Sequence, residues 1–166
     1  MPDQQVHEEE QRTTDLAGAI YGIVLATAMI GAFSQDKALG NVQIAVAVFV
    51  TAVVFWVAHA YARVVASGLV RSRGLSWREI RGDLAREVPI VAGAVPSILV
   101  LFLNPIGLLG HEAAQTAAIS LGVVLLAACG LIAGIRQGAG TLGVLVMCAT
   151  SAALGIVIVG LKVFIH

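Results

Sequence analysis

Long apolar runs alternate with short polar stretches along the whole chain, and this pattern predicts the architecture. Crossing about 30 Å of hydrocarbon takes roughly twenty apolar residues in a helix. Five runs reach or approach that length, at 16–33, 42–66, 88–109, 113–135 and 141–165. Because backbone groups in lipid must be paired, each run is expected to be a helix. The pattern predicts an all-α, polytopic membrane protein, with five transmembrane helices in residues 16–166.

Composition agrees with the membrane class and adds an acidic start. Hydrophobic residues make up 58% of the chain and charged residues 12%, too few polar residues to cover a soluble domain. Residues 1–15 form an acidic tail without the basic region and cleavage site of a signal peptide, so the first run is expected to stay in the mature protein. Cys129 and Cys148 lie inside apolar runs, which favours packing over a disulfide.

The basic residues gather on one side of the membrane if the five runs alternate in direction. The N-terminal side then also carries the second and fourth connections. The basic residues on this side are Arg12, Arg63, Arg71, Arg73, Arg78, Arg81, Arg86 and Arg136. The other side has Lys37 and Lys162. The positive-inside rule predicts a cytoplasmic N-terminus and an external C-terminus, in a plasma membrane or bacterial inner membrane.

Small residues at four-residue spacing mark helix faces that can approach another backbone closely. They occur at Gly18, Gly22 and Ala26 in the first run, and at Gly130, Gly134 and Gly138 at the end of the fourth. Such faces form helix contacts either within one subunit or between subunits, and the pattern leaves both open.

Two prolines interrupt the third run. Pro96 and Pro105 each remove a helix hydrogen bond, which would free the carbonyls of Ala92 and Leu101. The kinked helix that results serves either packing alone or a polar path lined by those carbonyls.

The cytoplasmic segment 67–87 between the second and third runs predicts a short amphipathic helix. Ser76 and Glu79 form a capping box that starts the helix at Trp77, and Pro89 ends it soon after Glu87. Its apolar side carries Trp77, Ile80, Leu84 and Val88, so it is expected to lie on the membrane or on the helix bundle.

A second face of this helix carries three carboxylates. Glu79, Asp83 and Glu87 are spaced by four and stack above one another. They form either a solvated face with salt links to neighbouring arginines or a weak site for a divalent metal ion, which prefers oxygen ligands.

His59 lies well inside the second run, in the stretch FWVAHAYARVV that spans residues 55–65. Trp56, His59 and Arg63 share a face, and Arg63 is close enough to the cytoplasmic end to act as an anchor there. An ionisable residue at depth is a functional candidate, and the alternative is a histidine hydrogen-bonded to an adjacent helix. Tyr21 is predicted to lie at similar depth, whereas Tyr61 points about 160° away from His59.

No enzyme is predicted from these residues, and no nucleic-acid partner. A phosphate-binding loop, a nucleophile elbow, paired catalytic carboxylates and zinc-ligand spacing are all missing from the sequence. No acidic residue lies inside an apolar run, which argues against a pump driven through buried carboxylates.

The layout resembles the vacuolar iron transporter family. The similarity lies in five spans, the insertion after the second span, the YGIV motif at 21–24 and the glycine-rich end of the fourth span before a basic residue. The resemblance implies a homodimer in which the first spans of two subunits flank an ion path and the insertion binds divalent metal. Tyr21 stands where that family has an acidic residue before the glycine. Trp56, Val57, His59 and Ala60 stand in the region where it has methionine and glutamate, and Tyr61 matches its tyrosine.

Two functions follow as expectations. The first is a dimeric transporter that moves a divalent metal cation or a proton along a crevice lined by Tyr21, His59 and Tyr61. The alternative is a membrane scaffold that does not transport and binds anionic lipid or a protein partner through its basic cytoplasmic segment. The one cofactor that these residues suggest is a divalent metal ion.

Overall fold

The computed structural model describes residues 2–71, 77–138 and 140–164. This part of the chain consists of helices and the turns between them, which confirms the predicted all-α class. The helices are α1 (Pro2–Phe33), α2 (Asn41–Arg71), α3 (Trp77–Arg86), α4 (Val88–Leu101), α5 (His111–Arg136) and α6 (Thr141–Phe164).

Four stretches of the described chain are long and apolar enough to cross a membrane. They are Thr14–Phe33, Asn41–Ala66, Ile80–Leu101 and His111–Arg136. The fifth predicted span coincides with α6, in which Thr141–Ser151 forms a shorter apolar stretch. These helices support the predicted class of integral membrane protein with several spans.

Helix α1 begins at Pro2, so the acidic stretch before the first span is helical, and the candidate span within α1 begins at Thr14. One predicted boundary was wrong. The third span was expected to continue to residue 109, but α4 ends at Leu101 and a series of turns follows. Gly107 has a φ of 79°, which suits glycine and is incompatible with a continuing helix.

The turn after α4 also changes the predicted role of Pro105. Because Pro105 lies beyond the helix, Pro96 is the proline inside α4. The carbonyl of Leu101, predicted to be free, accepts from the backbone N–H of Asn104 at 3.3 Å. The side-chain amide of Asn104 in turn donates to the carbonyl of Leu109 at 3.1 Å, so Asn104 stabilises the turn itself.

A short helix lies between the second and third spans, as the sequence predicted. Helix α3 begins at Trp77 and ends at Arg86, one residue before Glu87. Ser76, which supplies the predicted capping box, lies outside the described residues.

The core lies where α1, α2, α4 and α5 meet. It is built from small and branched apolar side chains, which let the helices approach closely: Ala26, Ile30, Ile44, Val48, Ala52, Ala94, Ile98, Leu101, Ala118 and Ile119. Two buried hydroxyls in the same region donate to backbone carbonyls, Thr27 to Ile23 at 2.7 Å and Ser97 to Ala118 at 3.4 Å. These hydroxyls therefore have partners in the packed interior.

Glycines bring the backbones of α1 and α4 into direct contact. A Cβ atom on Gly22 would lie 1.9 Å from the carbonyl oxygen of Ile90, and one on Gly93 would lie 2.2 Å from that of Ala19. Gly18 faces Pro89, and Ala26 is fully buried in the core. The small-residue face of α1 is thus a contact within the chain, one of the two alternatives that the sequence left open.

The glycines of α5 serve the same purpose against α6. A Cβ atom on Gly130 would lie 2.5 Å from the Oγ of Ser151, and one on Gly134 would lie 2.9 Å from the Cα of Val144. Gly138 differs, because it follows the end of α5 with a φ of 61° and has open space around it. Its role is to turn the chain rather than to make a helix contact.

The two ends of the bundle differ in the elements that they carry. We call the end with α3 and the start of α4 the α3 end. The opposite end carries the α1–α2 connection and the start of α5, and we call it the His111 end.

Candidate functional site

At the α3 end, two polar side chains of α2 hold α3 against the bundle. The indole N–H of Trp56 donates to the backbone carbonyl of Leu84 at 2.8 Å. Leu84 belongs to the last turn of α3, whose carbonyls have no partner inside the helix. Arg63 forms an ion pair with Glu87, whose side chain is 5% exposed. Since Trp56 and Arg63 are seven residues apart, they lie on one face of α2, and both contact the C-terminal end of α3.

The exposed face of α3 concentrates positive charge. Trp77, Arg78, Arg81 and Arg86 are all exposed, with Trp77 at 75%. At about 100° per residue, these four occupy one half of the helix. We call this surface the Trp–Arg face.

The opposite half of α3 points toward the bundle. Ile80, Asp83 and Leu84 are half-buried there, and Glu87 beyond the helix end is buried. The predicted apolar side was therefore only partly right, because Ile80 and Leu84 pack inward whereas Trp77 and Val88 are exposed. Docking of α3 on α2 decided this orientation.

Two of the three carboxylates in the predicted row have described side chains, and both lie beside arginines. Asp83 lies 3.8 Å from Arg86, and Glu87 is paired with Arg63. The side chain of Glu79 lies outside the described residues. Among the side chains that the structure describes, no group of three or more His, Cys, Asp or Glu is placed to hold a metal ion. The divalent metal site stays a prediction from the sequence.

His59 lies in an aromatic cluster with Tyr21 and Phe55. The ring centroids of Tyr21 and His59 are 5.1 Å apart, and Tyr21 and Phe55 are 5.8 Å apart. The Nδ1 of His59 lies 3.0 Å from the carbonyl oxygen of Phe55 in the same helix. Because a carbonyl only accepts, the neutral imidazole carries its proton on Nδ1 and Nε2 is the basic nitrogen.

The structure brings together two of the three predicted path residues. Tyr21 is the neighbour of His59, as the depth of the two residues predicted, and the contact between them is between rings. Tyr61 is 69% exposed and lies outside this aromatic cluster.

The His111 end contains a hydrogen-bonded ring that the sequence did not reveal. The side-chain amide of Asn41 donates to the backbone carbonyl of His111 at 3.0 Å. The amide nitrogen of Gln115 lies 2.9 Å from the Oδ1 of Asn41 and 3.2 Å from the Nε2 of His111. Asn41 and Gln115 are 2% and 4% exposed, so the two amides are buried, whereas His111 is exposed.

One backbone carbonyl fixes the direction of every bond in this ring. The carbonyl of His111 can only accept, so Asn41 must turn its NH₂ group toward it and its Oδ1 toward Gln115. Gln115 must then present its NH₂ group to both neighbours. The Nε2 of His111 therefore accepts, which makes the imidazole neutral with its proton on Nδ1.

A cavity of 410 Å³ adjoins this ring. Its lining is polar on the α5 side and on the side of the α1–α2 connection, and consists of Ser34, Lys37, His111, Glu112, Gln115 and Thr116. We call it the His111 cavity. The sequence signal for this site is Gln115, a polar amide one turn inside an apolar run, where an unpaired amide is costly.

Comparisons of the chain with protein-family models, with curated proteins and with solved structures found no match. The similarity to vacuolar iron transporters therefore stays a prediction from the sequence. The candidate sites are interpreted from their own chemistry.

Proposed function

We propose that this membrane protein binds anionic lipid at the membrane surface through the Trp–Arg face of α3. The observation that carries the proposal is the separation of charge on this helix. Asp83 and Glu87 are covered and pair with arginines, whereas Arg78, Arg81 and Trp77 are exposed. The distribution of arginine and lysine along the chain predicts that this face is cytoplasmic, where the leaflet is negatively charged.

The position of α3 suits a lipid surface. Helix α4 begins only two residues after α3 ends, so α3 lies where the chain enters the apolar layer. Tryptophan favours this interfacial depth, and guanidinium groups bind phosphate oxygens with paired hydrogen bonds. Each arginine near an anionic surface contributes about 1 kcal/mol, so the three together contribute about 3 kcal/mol.

The test measures how many phosphatidylglycerol molecules the purified full chain retains, by native mass spectrometry from mixed micelles. We expect the triple variant R78Q/R81Q/R86Q to weaken retention by roughly 100-fold, which is about 3 kcal/mol. The matched control is R136Q, an exposed arginine at the end of α5 on the same side of the bundle. Equal retention of phosphatidylglycerol by the triple variant and by R136Q would contradict lipid binding at the Trp–Arg face.

Proton or metal-cation transport is the second candidate function, and the Tyr21–His59 contact favours it. The basic Nε2 of His59 at depth could accept and release a proton beside the Tyr21 ring. A homodimer with the path between its first spans would need another face of α1, because the glycine face already packs on α4.

Flux into liposomes tests this second candidate. We expect H59Q to abolish proton or divalent-metal flux and Y61F to leave it unchanged, since Tyr61 lies apart from the aromatic cluster. Wild-type flux no higher than in empty vesicles, or full flux by H59Q, would rule the path out.

A further inference from the structure

We propose that the His111 cavity binds a small zwitterion, with its ammonium group against Gln115 and Glu112 and its anionic group against Lys37. The cavity lies at the opposite end of the bundle from the Trp–Arg face. The proposal therefore uses none of the residues on which lipid binding or the His59 path depends.

Gln115 supplies the first requirement for a ligand. Both N–H groups of its amide are taken by Asn41 and His111, as the ring requires. Its remaining polar atom, Oε1, has no hydrogen-bond partner among the described residues, although the side chain is 96% buried (4% exposed) and lines the cavity. This oxygen is not among the fully enclosed atoms without a partner, so it is accessible from the cavity, where it can accept from water or from a ligand that supplies a donor.

Glu112 extends the same wall of the cavity. It precedes Gln115 by three residues on α5 and so shares its face. Thr116 follows Gln115 on that wall and can also accept. A carboxylate and an amide oxygen that both only accept match a primary ammonium group, which offers three N–H donors.

The other wall carries the opposite charge. Lys37 lies in the α1–α2 connection, and its ammonium group can only donate. A carboxylate or phosphate on the ligand would match it. A simple cation would be repelled by Lys37 and a simple anion by Glu112, whereas a zwitterion satisfies both walls and adds no net charge.

The connection that carries Lys37 is held in shape before any ligand binds. The backbone N–H of Ala38 donates to Asp36 at 2.9 Å, and that of Gly40 donates to Gln43 at 2.8 Å. The side chain of Asn41 then ties the start of α2 to α5. A volume of 410 Å³ lies within the range of small-molecule sites.

Two sources can supply this chemistry, a free amino acid or the ethanolamine phosphate headgroup of a lipid. Isothermal titration calorimetry on the full chain in maltoside micelles would compare glycine, phosphoethanolamine and a short-chain phosphatidylethanolamine. Glycine betaine is the matched probe, because its quaternary ammonium has no N–H to give Gln115. We expect at least one of the three primary amines to bind at least tenfold more tightly than betaine.

Variants locate the binding. E112Q and K37M change exposed side chains, and each should weaken binding of the preferred amine at least tenfold; Q115M should do the same and also disturb the ring. Q137M, an exposed glutamine beyond the other end of α5, should bind like the wild type. Binding of an amino acid alone, or of the lipid headgroup alone, identifies the source and supports the site. No binding of any primary amine, equal binding of betaine, or unchanged binding by E112Q and K37M would overturn the proposal.

Discussion

The α3 end and the His111 end both use polar side chains, but in opposite ways. At the α3 end the polar groups are charged, and the arginines point outward while the acids they pair with are covered. At the His111 end two buried neutral amides and an exposed imidazole close into a ring. A buried charge needs a paired counter-charge, as Glu87 has in Arg63, whereas neutral amides can be buried once every N–H is paired.

This difference predicts different consequences for binding. An exposed charged face suits a large, diffuse partner such as a lipid surface, and its interactions weaken with salt. A cavity beside buried amides with one spare acceptor suits a small ligand of defined shape. The following predictions test this contrast, from the largest expected effect to the smallest.

The largest effect should come from G22A, which affects the packing on which both ends depend. Its Cβ would lie 1.9 Å from the carbonyl oxygen of Ile90, so α1 and α4 must separate. Overpacking of this kind costs about 1–3 kcal/mol or more. Thermal unfolding in detergent measures the loss, and G31A in the same helix is the control, since a Cβ there meets nothing within 4 Å. Equal stability of the two variants would mean that the glycine contact is not tight.

The next effect should come from N41L, which opens the ring at the His111 end. It removes the side-chain bond to the carbonyl of His111 and leaves one N–H of the Gln115 side chain without a partner, at a cost of about 1–3 kcal/mol in the free energy of unfolding. Denaturation of the purified protein measures this loss. Q137L, at an exposed glutamine just beyond the end of α5, should cost a few tenths of a kcal/mol by comparison. An unchanged stability of N41L would show that water replaces the ring.

At the α3 end, W56F should release α3 rather than unfold the bundle. Phenylalanine keeps the ring but loses the N–H that reaches Leu84, worth about 1 kcal/mol. Hydrogen exchange should rise in α3 and stay constant in α4. W77F is the control, because Trp77 is 75% exposed. Faster exchange in both helices would show that α3 and α4 are a single unit.

The smallest effect should come from Y21F. The contact between Tyr21 and His59 is made by their rings, 5.1 Å apart, so removing the hydroxyl should change stability by less than about 0.5 kcal/mol. Y21A, which removes the ring, should cost more. If Y21F were as costly as Y21A, the hydroxyl rather than the ring would be the partner of His59.

Much of the layout was predictable because lipid restricts a chain so strongly. Backbone pairing and apolar length predicted helices at the right places, and Pro89 predicted where α3 ends. The end of α4 was misplaced because residues 102–109 are apolar enough to continue a span. Only the turn geometry around Asn104 and Gly107 shows that the helix stops.

The sequence by itself determined the membrane class, the helices and the depth that Tyr21 and His59 share, because these depend on composition and spacing along one chain. The tertiary structure decided which faces meet. It placed the glycines of α1 against α4, turned Trp77 outward and joined Asn41 to Gln115, which lie 74 residues apart. A hydrogen bond between distant residues depends on how the helices are arranged in space, and spacing along one helix carries no record of that arrangement.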